Sequence, residues 1–139
     1  MDCIFCKIRD KEIPSSILFE NEKAFAILDI NPMNYGHVLL ISKGHYSDIL
    51  EIPENDLKEI LSAVQQVSKA LVGAFSLEGF NLVANKGEIA GQSIFHFHFH
   101  IIPRYKNDNL NFVRNIKKYE ENQFNEYADQ IRNAIQSLK

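Results

Sequence analysis

The chain of 139 residues contains no run approaching the roughly 20 consecutive apolar residues that a membrane-spanning helix needs. Its opening, Met1-Asp2-Cys3, also lacks the basic and then apolar stretch that directs secretion, so a cytoplasmic location is expected. Charge of one sign is scarce: 15 Lys and Arg stand against 18 Asp and Glu, a net charge of -3. No broad basic field exists to collect nucleic acid without regard to sequence, and any bound phosphate must be held by a few local groups. Neither nucleic acid nor membrane is therefore expected as a partner. Cysteine is limited to Cys3 and Cys6, and a Cys-x-x-Cys pair in a reducing compartment points to a metal site or a redox pair before a structural disulfide. Repeats and low-complexity segments are absent, and the length suits one domain rather than two.

The remaining pattern is that of strands and two helices. Ile17-Leu18-Phe19 and Ala24 to Leu28, separated by the polar turn Glu20-Asn21-Glu22-Lys23, predict a hairpin. The turn residues Asn31 to Gly36 lead into His37-Val38-Leu39-Leu40-Ile41-Ser42, an apolar run of buried-strand length. Pro53 suits the first turn of a long helix whose apolar face is Leu57, Ile60, Leu61, Val64, Val67, Leu71 and Phe75. Period-two alternation after Gly79 predicts a fourth strand, a glycine-bearing loop follows from Lys86 to Gln92, and Ile94 to Ile102 predicts a fifth strand stopped by Pro103. A second helical pattern, through Phe124, Tyr127, Ile131 and Ile135, occupies 122–138. Five strands in mostly local pairs with two segregated helices predict an α+β fold built on an antiparallel sheet.

The most informative stretch is His96-Phe97-His98-Phe99-His100. Strand alternation puts the three imidazoles on one face and Phe95, Phe97, Phe99 and Ile101 on the core face. An ordinary solvent-facing strand would draw on Lys, Glu, Thr and Ser as well. A catalytic zinc held by all three rings is a sharper rival. Alternate residues lie about 6.6 Å apart along a strand and the outer pair about 13 Å, so three rings do not converge on bonds of about 2 Å. The row suits an extended phosphate ester: a neutral imidazole nitrogen attacks phosphorus while its neighbour donates to the oxygens, with no catalytic metal needed. Gly87 and Gly91 let the preceding loop approach a ligand, and Gln92-Ser93 place donors just upstream, although the loop alone reads equally well as a structural turn.

The segment His96-Phe97-His98-Phe99-His100-Ile101-Ile102 completes the pattern His-φ-His-φ-His-φ-φ, with φ apolar, and by it the chain resembles the histidine-triad (HIT) superfamily. The resemblance extends to Asn85, Gly91-Gln92-Ser93, Gly36 to Ile41, Asp29 to Pro32 and Cys3 to Ile8, covering residues 2 to 105 of a single domain, 1–139, with 106–139 as a C-terminal extension. It implies a nucleotide-binding hydrolase working through a nucleotidyl-histidine intermediate. His98 is then the nucleophile, and His100 holds the phosphate under attack. Asn85 and Ser93 contact phosphate or leaving group, Ser93 giving a proton to a departing amine, and Gly91 and Gln92 line the phosphate loop. Asp29 corresponds to the residue that binds the ribose hydroxyls, and Ile4, Phe5, Ile8 and Ile30 to the apolar walls around a purine base. His37 resembles a fourth histidine that buttresses the triad. The resemblance also implies a homodimer.

In similar bacterial members and in the related galactose-1-phosphate uridylyltransferases, a Cys-x-x-Cys joins two histidines around zinc. Carried onto this chain, that implies a structural zinc held by Cys3, Cys6, His45 and His96. A pair of free thiols is the alternative; a thioredoxin-like role fits less well because no strand precedes the motif. Asn85 and Ser93 lean toward the Hint-type phosphoramidases of the superfamily, whereas the long C-terminal extension departs from their short form. The alternatives are a dinucleoside polyphosphate hydrolase of Fhit type and a nucleotide-binding adaptor with little turnover; the intact His98, His100 and Ser93 argue against the last.

Overall fold

Two short strands, β1 (Ile17–Glu20) and β2 (Ala24–Leu28), form the expected hairpin in a computed structural model that describes residues 2–138. Met1 and Lys139, the ends of the expected 1–139 domain, lie outside the described residues. The chain continues through β3 (Val38–Ser42), the long helix α2 (Glu54–Phe75), β4 (Gly79–Val83), β5 (His98–Arg104) and α3 (Gln123–Gln136). A short helix, α1 (Ile4–Arg9), precedes them all. The five strands make one antiparallel sheet in the order β1-β2-β3-β5-β4. Among the described residues no helix is long and apolar enough to cross a membrane.

Helix α2 lies across one face of the sheet because its periodic stripe, Ile60, Ala63, Val64, Val67 and Leu71, meets Ala24, Ala26, Val38, Leu40, Phe97, Phe99 and Ile101. Each of the larger side chains contributes roughly 1.5–3 kcal/mol by leaving water. Ser76 ends the helix in the left-handed region (φ 50), and the Leu77 amide closes back on the Val72 carbonyl at 3.2 Å. On the opposite face Phe25, Ile27, Leu39 and Ile41 pack under Phe5 and Ile8 of α1. Strand β3 is thus covered on both sides, which is why it reads as an unbroken apolar run rather than an alternation.

The structure adds one helix and corrects the bounds of the fifth strand. Helix α1 has no side-chain cap of the usual oxygen type; the Cys3 sulfur takes that place, accepting from the Cys6 amide at 3.4 Å, so the sequence carried no start signal. Strand β5 begins at His98, not Ile94, and runs through Pro103 to Arg104. Pairing with β3 ends at Ile101, and the Pro103 carbonyl accepts from the Asn34 side chain at 3.0 Å on the side away from β4, so a proline there costs no ladder bond. His96 consequently sits in a bend ahead of the strand, and Phe95, expected in the core, is 49% exposed. The C-terminal helix forms as expected, yet buries none of Phe124, Tyr127, Ile131 or Ile135, and residues 105–120 reach it without helix or strand.

Candidate functional site

Strand β5 delivers His98 and His100 to the face opposite α2, and antiparallel register sets them beside Ile41 and Leu39 of β3. Their rings meet at 4.9 Å between centroids, and Phe5 of α1 stands edge-on to His98 at 5.0 Å. The His98 Nδ1 lies 2.7 Å from the His96 carbonyl oxygen. A carbonyl only accepts, so Nδ1 carries the proton and Nε2 keeps a free lone pair.

A second chain of bonds fixes His100. The Met33 amide donates to His37 Nδ1 at 3.0 Å, so the proton of neutral His37 resides on Nε2. That nitrogen is 3.0 Å from His100 Nδ1, which must therefore accept, leaving His100 Nε2–H as an outward donor. The bend before β5 and the loop after β2 thus assign opposite roles to adjacent rings: an acceptor nitrogen on His98 and a donor on His100. Asp29 lies beside the pair, its Oδ1 accepting from the Asn31 amide at 2.9 Å and its Oδ2 3.7 Å from His37 Nε2. Asp29, His37 and His100 are close enough together to suggest a cation site. The Met33 bond weighs against it, because the His37 nitrogen facing the cluster is protonated.

Burial pushes His37 and His98 below the ordinary imidazole range and His100 to about 4, the last lowered further by His98 and His37. The Asp29 carboxylate opposes the shift in all three, as does the His96 carbonyl for His98. All three rings are accordingly neutral at pH 7, as a nitrogen nucleophile and its neutral donor require.

The loop from Asn85 to Ser93 is closed by Gln92. Its buried side chain accepts from the Gly87 amide at 2.8 Å and donates to the carbonyls of Ser47 at 2.6 Å and Ile94 at 3.2 Å. Gln92 therefore shapes the loop with atoms the sequence reading assigned to substrate. Gly87 (φ 89) and Gly91 (φ 99) take backbone conformations that side chains disfavour, and Gly91 lies against the Asn85 amide. Ser93 is exposed and Asn85 half-buried. Lys86, which the sequence did not single out, pairs with Asp48 at 3.0 Å and ties this loop to the turn after β3. Of the four expected base-wall residues, Ile4 and Ile30 present apolar surface, whereas Phe5 and Ile8 are buried under α1. Arg104, at the end of β5, is occupied by Asp108, Asn81 and the Leu110 carbonyl.

Cys3, Cys6, His45 and His96 converge on the far side of His96. The His96 ring donates from Nε2 to the Ser42 carbonyl at 2.6 Å, so its Nδ1 lone pair faces Cys3 Sγ at 3.2 Å, Cys6 Sγ at 3.6 Å and His45 Nδ1 at 3.1 Å. Cys6 Sγ and His45 Nδ1 are 3.4 Å apart. Tetrahedral zinc, with bonds of about 2.3 Å to sulfur and about 2.0–2.1 Å to nitrogen, would space its ligand atoms about 3.3–3.8 Å apart. Donor types, spacing and the carbonyl that orients His96 all suit that ion. Burial raises the Cys6 thiol and lowers His96 to about 4; a central cation would reverse the first and exploit the second.

The HIT domain family profile matches residues 10–107. An adenosine 5′-monophosphoramidase of Saccharomyces cerevisiae is 42% identical over 102 residues, which make up 73% of this chain and 62% of that protein. Among solved structures, a member of the HIT family of proteins from Bacillus subtilis aligns with a TM-score of 0.90 at 36% identity, covering 96% of both chains. A histidine triad nucleotide-binding protein from Candida albicans aligns with a TM-score of 0.89 at 31% identity, covering 99% of this chain and 100% of that one.

Proposed function

The chain belongs to the HIT domain family, and from that premise we propose that it hydrolyses a purine nucleoside 5′-phosphoramidate, or a related nucleotidyl compound, at the α-phosphorus. The observation that carries the proposal is the single free nitrogen of His98, held in its tautomer by the His96 carbonyl beside a donor nitrogen on His100. In the first step the Nε2 lone pair forms a bond to phosphorus as the phosphorus–nitrogen bond to the leaving group breaks. The departing amine takes a proton from the Ser93 hydroxyl, which regains one from solvent. The resulting nucleotidyl-imidazolium keeps its Nδ1 proton on the His96 carbonyl, which stabilises the new positive charge. His100 Nε2–H, with Asn85 and the loop amides, binds the phosphate oxygens, and Asp29 accepts from the ribose hydroxyls. Water then attacks phosphorus, breaks the bond to Nε2, releases the nucleoside monophosphate and leaves its proton to solvent. The phosphoramidase activity named for the yeast relative favours this substrate class.

Two further assignments belong to the same reading. Cys3, Cys6, His45 and His96 hold a structural zinc, which when bound ties α1 to the segment before β5; their reduced state suits a cytoplasmic protein. The functional unit is a homodimer in which β4, a free sheet edge, and the apolar groove of about 430 Å³ beside it, lined by Leu61, Val64, Val72, Phe80 and Leu82, are covered by a second copy.

The mechanism is tested by intact-protein mass spectrometry after mixing with adenosine 5′-phosphoramidate or with diadenosine polyphosphates, using wild type and His98→Ala in parallel. The expected result is a transient adduct of one nucleoside monophosphate on wild type alone, with faster turnover of the phosphoramidate. Faster turnover of the polyphosphates would move the protein to the Fhit type. Nucleotide binding with neither adduct nor turnover would make it an adaptor.

A further inference from the structure

The segment from Asp29 to His37 carries two groups that the proposed chemistry needs, the Asp29 carboxylate and the Met33 amide, yet it contains neither helix nor strand. Apolar burial does little to hold it: Ile30 is 89% exposed, Tyr35 84% and Met33 48%. Most of its hydrogen bonds close on the segment itself, from Asp29 N–H to the His37 carbonyl, from His37 N–H to the Asn34 carbonyl, and from the Asn31 and Met33 amides to Asp29 and His37. Apart from the His37–His100 bond, those that fasten it to the rest of the fold come from Asn34 and Tyr35. The Asn34 amide donates to the Pro103 carbonyl at 3.0 Å and to Asp108 Oδ2 at 2.9 Å, and the Tyr35 carbonyl accepts from the Tyr105 hydroxyl at 2.8 Å.

Asp108 is built to hold still. Its side chain is 8% exposed, and its two oxygens accept from five donors: Asn34 Nδ2, Arg104 Nε and Nη2, and the amides of Tyr105 and Leu110. Arg104 is anchored in turn to Asn81 on β4 at 2.9 Å. A rigid node at the root of the C-terminal extension thus reaches, through one asparagine, the segment that fixes His37 and hence His100.

We infer that Asn34 and Asp108 form a positioning latch that holds Asp29 over the nucleotide and the Met33 amide on His37, so that the C-terminal extension acts on the chemistry through residue 108 rather than through α3. The inference rests on the proposed function in giving Asp29 and His37 their tasks. Neither residue touches the reacting atoms; both act through the loop. Because a misplacement of about 1 Å can cost on the order of 100-fold, loosening the latch is expected to lower kcat/KM by about 10- to 100-fold. The loss divides between a higher KM, through Asp29, and a lower kcat, through the His37–His100 pair.

The test compares Asn34→Ala, which cuts the link and leaves the Arg104–Asp108 turn whole, with Asp108→Asn, which leaves one oxygen for five donors. Asp129→Ala on exposed α3 serves as the control. Steady-state kinetics with adenosine 5′-phosphoramidate are read beside melting temperature and a long-range proton–nitrogen spectrum of the histidine rings. The expected result is folded variants with the split loss in kcat and KM and a His37 Nδ1 signal moving from purely unprotonated to a mixture. Folded variants with wild-type kcat, KM and His37 tautomer would overturn the latch; if Asp108→Asn does not fold, Asn34→Ala decides alone. An inactive wild type would count against the proposed function, and the His37 spectrum would still decide the latch.

Discussion

Acidification is the perturbation to which the histidine cluster is most specifically tuned. An unperturbed imidazole titrates near 6.5, so an exposed histidine nucleophile would lose about nine-tenths of its neutral form at pH 5.5. Here burial holds His98 below that range and His100 at about 4. A group titrating at about 4 is only about 3% protonated at pH 5.5. The acid limb of kcat/KM for adenosine 5′-phosphoramidate is therefore expected below 6.5, with a loss at pH 5.5 smaller than tenfold. The same burial destabilises the fold in acid. A histidine whose folded-state pKa lies below its unfolded value contributes no penalty above about 6.5, where both states are neutral, and costs stability as pH falls toward 4, because the unfolded chain binds the proton first. For His100 the ceiling is on the order of 3 kcal/mol, most of it lost by pH 4.5. Carboxylates that are held low, Asp108 among them, keep their contribution until about pH 4 and so leave that window to the histidines. Kinetics from pH 4.5 to 8, with the folded fraction followed by circular dichroism at each point, separate the two effects. A limb centred at 6.5, with a tenfold loss at pH 5.5 in fully folded protein, would refute the burial argument.

Metal analysis is expected to find about one zinc per chain, and chelation to lower the melting temperature and abolish activity only as the chain unfolds. Immediate loss in folded protein would instead mean a metal acting at phosphorus. Gln92→Leu removes the partner of the Gly87 amide and of the Ser47 and Ile94 carbonyls; kinetics and thermal melts should show a several-fold higher KM for the nucleotide and a stability loss of about 1–3 kcal/mol. Ile60→Ala, wholly buried between α2 and the sheet, should cost about 2–5 kcal/mol in urea unfolding while leaving KM of the folded enzyme unchanged.

What could be read before folding was what period and composition alone encode. The hairpin, the doubly covered β3, the α2 stripe and the alternation of His98 and His100 against Phe99 and Ile101 all follow from a side-chain period that matches the element's geometry. The start of β5 escaped because His96 continues the alternation in sequence while its ring is turned toward Cys3, Cys6 and His45 by contacts 51 to 93 residues distant. Helix α1 escaped because sulfur replaced the usual capping oxygen, and Asn34, Lys86 and Asp108 because their importance lies in partners brought from other elements.

The sequence by itself determined which atoms were available: three alternating imidazoles, two thiols at ligand spacing, glycines where a loop must turn, and enough periodic apolar surface to bury them. It could not determine which nitrogen of each ring carries the proton. That choice belongs to the His96 carbonyl and the Met33 amide, backbone groups that every sequence possesses and only a tertiary structure aims. A tautomer is settled by one hydrogen bond whose donor and acceptor are fixed in space, and in this fold two such bonds make one histidine an acceptor and its neighbour a donor.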